Sequence, residues 1–128
     1  MSYHFSKTLA LPFDEAIEKV TEALNENGFG VLTTIDVKAT LKKKIDVDFR
    51  PYTILGACNP QFAYQALQKE DKIGAMLPCN VLVQQVDPGH VEVSAVDPVA
   101  SMQAIDNREL GAIAQQVRGL LKKIVEGL

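Results

Sequence analysis

Two stretches rich in β-branched residues, Cys79 to Val86 and Val91 to Val96, are separated by Asp87-Pro88-Gly89-His90. Those four residues make a tight turn, so the stretches form an antiparallel hairpin. A hairpin is marginal alone in water and needs more strands, with a layer that covers one face. The rest of the pattern supplies both. Tyr3 to Leu9 alternates Tyr3 and Phe5 with His4, Ser6 and Thr8, as a half-buried strand does. Val31 to Val37 and Tyr52 to Ala57 are further strands.

Between the strands the period changes. Pro12 suits a first helical turn, with Asp14 and Glu15 near the positive end of the helix dipole. Phe13, Ile17, Val20 and Leu24 then share one face, and Gly28 is placed to end the helix in a left-handed conformation. Leu41 and Ile45 predict a short surface helix whose Lys42, Lys43 and Lys44 point outward, and Asp46 to Pro51 is a loop. Asn59-Pro60 starts a helix with cap and proline, and Asp97-Pro98 repeats the device. A break at Asp106-Asn107 precedes a last helix striped by Leu110, Ile113, Val117, Leu120, Leu121 and Ile124. Helices on one face of a mainly antiparallel sheet make an α+β two-layer sandwich. Residues 1–128 form a single domain. The other sheet face stays bare, so a homodimer packed through it is expected.

The formal net charge of -3 and the absence of Trp argue against nucleic acid as a partner. No apolar run is long enough to span a bilayer and no secretory core follows Met1, so no membrane and a cytoplasmic location are expected. Cys58, Cys79, His4 and His90 lack zinc-knuckle spacing, so no metal and no cofactor are expected.

The chain's two cysteines each precede an asparagine, as Cys58-Asn59 and Cys79-Asn80. If Asp87 pairs with His90, then Val86 faces Val91, Asn80 faces Asp97 and Cys79 faces Pro98. An antiparallel strand ending at Cys58 would bring the two thiols to one sheet edge, whereas a crossover would set them at opposite ends. The candidate ligand-binding residues are therefore Cys58, Asn59, Cys79, Asn80 and Asp97, with Asp36 added because a charge inside an apolar strand needs a wet face or a partner. A helix N-terminus beside Cys58 would favour its thiolate. The plainer reading makes both cysteines small buried apolar residues.

The segments from Gly28 to Val37, Leu55 to Pro60, Leu77 to Val81 and Val93 to Pro98, taken in order, resemble the prokaryotic domain-of-unknown-function family 302. The resemblance covers nearly the whole chain. It implies an α+β fold of the TATA-binding-protein-like class, suggests dimers, and brings no established reaction. Asp36, Cys58, Asn59, Pro60, Pro78, Cys79, Asn80, Asp97 and Pro98 are the positions that match its motifs. Three functions follow as expectations. The first is a small-molecule ligand, or thiol-reactive species, met at the Cys/Asn edge. The second is protein–protein interaction through the open sheet face. The third is an enzyme with a cysteine nucleophile and Asp97, Asp36 or a histidine as base.

Overall fold

The structure, a computed structural model, describes residues 2–128. Five strands make one sheet: β1 (His4–Leu9), β2 (Gly30–Asp36), β3 (Tyr52–Cys58), β4 (Cys79–Asp87) and β5 (His90–Val96). They lie in the order β1-β5-β4-β3-β2, and each neighbouring pair is antiparallel. The helices are α1 (Phe13–Glu26), α2 (Val37–Ile45), α3 (Pro60–Lys69), α4 (Pro98–Ser101) and α5 (Arg108–Glu126), with a 3-10 segment at Asp71–Met76. This is the expected α+β sandwich.

The core forms where helical and strand periods meet. α1 buries Ala16, Val20 and Leu24, and α5 buries Ile113, Val117, Leu121 and Ile124. They lie on a sheet face made by Leu55, Ala57, Val81, Val83, Val91, Val93 and Ala95. Each large aliphatic side chain so covered stabilises the fold by about 1.5–3 kcal/mol. α1 stops where its sequence says it should. Gly28 takes φ 83°, and Phe29 N–H donates to the Leu24 carbonyl at 2.9 Å, satisfying a group the helix end would leave bare. α5 starts just after Asn107, whose side chain accepts from Glu109 N–H at 3.0 Å. Among the described residues no helix is long and apolar enough to cross a membrane.

The hairpin differs from the expected register by one residue. Asp87 pairs with His90, but Val91 faces Gln85 rather than Val86. Val86 is squeezed out of the ladder and stands 50% exposed. Burial forces this. The buried apolar residues of β4 (Cys79, Val81, Val83) and β5 (Val91, Val93, Ala95) are all odd-numbered, so pairing them needs odd against odd. The turn pairs odd Asp87 with even His90, so one extra residue must be taken up between turn and core. Continuing the observed ladder from Val81 opposite Ala95 sets Asn80 against Val96 and Cys79 against Asp97. The expected partners, Asp97 for Asn80 and Pro98 for Cys79, are therefore corrected by one place.

Candidate functional site

β3 lies directly beside β4, with Ala57 opposite Cys79. Cys58 thus ends β3 at the end of the sheet where β4 begins, as the antiparallel alternative requires. Asn59 turns the chain out of the sheet. Its Oδ1 accepts from Phe62 N–H at 3.3 Å, and Pro60 occupies the first helical position of α3. Its amide also lies against the left-handed turn after α1, where a Cβ on Gly28 would come within 3.2 Å of Asn59 Nδ2.

Cys58, Asn59 and Cys79 line one cleft between the sheet end, α3 and α5, walled by Phe29, Phe62, Leu77 and Met102. Its volume is about 30 Å³, room for a water or two and no more. Its electrostatics oppose reactivity. Burial raises the Cys58 thiol above its ordinary value. Burial, helped by the charge that Cys58 would carry, pushes Cys79 up to about 11. No base or cation lowers either value. The helix start beside Cys58 therefore does not make it a thiolate, because desolvation prevails.

A pH dependence follows from Cys79. Its folded value lies above the unfolded one, so the folded chain holds the proton more tightly. The associated stability is complete below about pH 9 and is lost as pH rises toward 11. Denaturant titrations should lose about 1 kcal/mol by roughly pH 10, and Cys79→Ala should flatten that slope. Under native conditions near neutral pH, iodoacetamide should leave Cys79 unmodified and label Cys58 more slowly than free cysteine. Rapid labelling of Cys79, read by mass spectrometry, would contradict this account.

The other candidate residues go elsewhere. Asn80 is exposed on the opposite sheet face from Cys79, in a groove with Tyr52, Leu82 and Gln84. Asp36 stands at the far end of β2 from Gly30, which faces Cys58, roughly 20 Å away by strand geometry. It is exposed and caps α2, accepting from Ala39 N–H at 2.9 Å. Asp97 is buried, but its carboxylate turns away from the thiols. Oδ1 accepts from Val99 N–H at 2.9 Å and Oδ2 from Arg118 Nε at 3.0 Å. The structure thus gathers Cys58, Asn59 and Cys79 and sets Asn80, Asp97 and Asp36 apart. Arg118 escaped the sequence reading. It sits beside Val117 at the margin of the α5 stripe, and no sequence signal ties it to Asp97, 21 residues away. Among the described residues no group of three or more metal-binding side chains converges.

The comparisons with known proteins concern the whole chain. A family model described as a domain of unknown function, DUF302, matches residues 5–128. The fold is similar to the crystal structure of an uncharacterized conserved DUF302 protein from Bacillus stearothermophilus, with a TM-score of 0.90, 29% sequence identity and 98% of each chain covered. No curated protein matches the chain.

Proposed function

This chain belongs to the DUF302 family, and on that premise we propose that its working surface is the open face of the sheet, where a second copy of the chain docks. The observation that carries the reading is how little charge that face bears. Three cross-strand rows span it. One runs Ile35, Ile54, Leu82, Ser94, Ser6 across all five strands. Beside it run Tyr52, Gln84, Glu92, Thr8 and, on the other side, Thr33, Gly56, Asn80, Val96, His4. Glu92 is the single carboxylate in those rows, and none holds Lys or Arg. A sheet face built for water alone is normally studded with charge, whereas depletion of charge marks an interface centre. Arg50 supplies a rim. Its guanidinium lies 4.4 Å from the Phe49 ring centroid, and Nε donates to Gln84 Oε1 at 3.0 Å.

A reducing cytoplasm fits a chain whose cysteines are both free thiols. The thiol cleft supports ligand sensing less well, because it is narrow and its sulfurs hold their protons.

Light scattering at micromolar concentration should give twice 14.0 kDa. Leu82→Lys sets a charge at the centre of the face and should weaken association about thirtyfold or more, with the circular dichroism unchanged. A wild-type chain that stays at 14.0 kDa under these conditions would end the proposal.

A further inference from the structure

A second groove lies on the other side of the molecule's edge strand. It has a volume of about 390 Å³ and runs between the start of β1, α4 and α5. Phe5, Val99 and Ala100 form its apolar wall, and Ser2, His4, Gln115, Arg118 and the Arg118-paired Asp97 its polar one. That volume is in the range of small-molecule sites.

The chemistry is set by how Arg118 is held. Its Nε–H is spent on Asp97 Oδ2 at 3.0 Å, and its guanidinium lies 5.1 Å from the Phe5 ring centroid. Each Asp97 oxygen already holds one donor, since Oδ1 takes the Val99 N–H. The Arg118 side chain is about a third exposed, and among the described residues its two terminal nitrogens have no hydrogen-bond partner. An arginine held through Nε and lying over a ring is oriented by both contacts, and it offers the end of its fork to solvent. That end presents parallel N–H groups matching the two oxygens of a carboxylate. The nearest acid is already neutralised, so it does not compete for the fork.

We infer that this groove binds a small carboxylic acid with an apolar tail, its carboxylate on the outer edge of Arg118 and its tail along Phe5, Val99 and Ala100. Gln115 borders the same space from α5 and has an amide to donate. The groove shares His4 with the open sheet face but none of its central row, and ligand titration and oligomeric state are separate readouts, so failure of one is distinguishable from failure of the other.

Titration of the full chain with hexanoate, followed by amide and arginine side-chain NMR shifts, tests the inference. Hexanoate should saturate, with the Arg118 Nε–H resonance among the largest shifts. Hexanamide, which keeps the tail and lacks the charge, should bind at least about tenfold more weakly, and so should inorganic phosphate, which keeps the charge and lacks the tail. Arg118→Lys should lose about tenfold in affinity. Gln115→Glu, at an exposed helical position away from the core, sets a like charge against the ligand and should weaken hexanoate while leaving thermal stability unchanged. Absence of saturation, equal binding of hexanamide or phosphate, or unaltered hexanoate affinity in Gln115→Glu would each overturn it.

Discussion

Gly56→Val should cost the fold about 3 kcal/mol, and Gly56→Ala between about 1 and 3 kcal/mol. The position lies mid-sheet, paired with Thr33 on one side and Asn80 on the other. A Cβ there would run into Thr33 Oγ1 and come within 2.8 Å of Pro78 Cγ. The threonine belongs to an edge strand and can rotate its hydroxyl away. The proline ring cannot, so part of the strain persists whatever the threonine does. The two contributions separate in a double-mutant cycle. Thr33→Ala in the Gly56→Ala background should recover about 1 kcal/mol and leave the remainder. Urea midpoints for the four chains give the answer. A Gly56→Ala chain within about 0.5 kcal/mol of wild type would mean that the sheet has slack at this position.

Asp97→Ala should be comparably damaging, at about 2–3 kcal/mol. Two losses combine. The α4 cap to Val99 N–H goes, at about 1 kcal/mol, and Arg118 is left over Phe5 without its acid. Because Arg118 is partly exposed, water recovers some of the second loss. The converse variant is more telling. Arg118→Leu strands a carboxylate that is only 10% exposed, and about 3 kcal/mol is expected. Asp97→Asn keeps a capping oxygen and drops the charge, so it should fall between wild type and Asp97→Ala. If all three variants unfold at the wild-type denaturant midpoint, the pair contributes nothing net and α4 is held by packing alone.

The fold was legible because local signals agreed with one another. Asn59-Pro60, Asp97-Pro98 and Asn107 each start a helix where expected, and Gly28 follows α1 in the left-handed conformation that its position implied. The hairpin register was also written in the chain, in the shared parity of the buried apolar residues in β4 and β5. The Asp87–His90 turn taken alone points to the other register, and local turn geometry lost to core burial. The site was less legible for a different reason. Adjacent residues in a strand face opposite ways, so Cys79 and Asn80, neighbours in sequence, serve different faces. Asp36 and Asp97 are both caps, a role that accounts for an acid at a strand end without any ligand. The Asp97–Arg118 pair joins residues 21 apart, and no periodicity announces such a meeting.

The extra residue at Val86 divides β4 into two phases. Beyond it, toward the Asp87–His90 turn, the odd-even rule that keeps valines inside no longer applies. The tip of the hairpin is therefore free to change length by single residues, since a slip there dissipates in the kink before it reaches Val83. The same slip below the kink would turn every side chain of the strand inside out. One irregularity acts as a mechanical fuse between a permissive loop and an intolerant core.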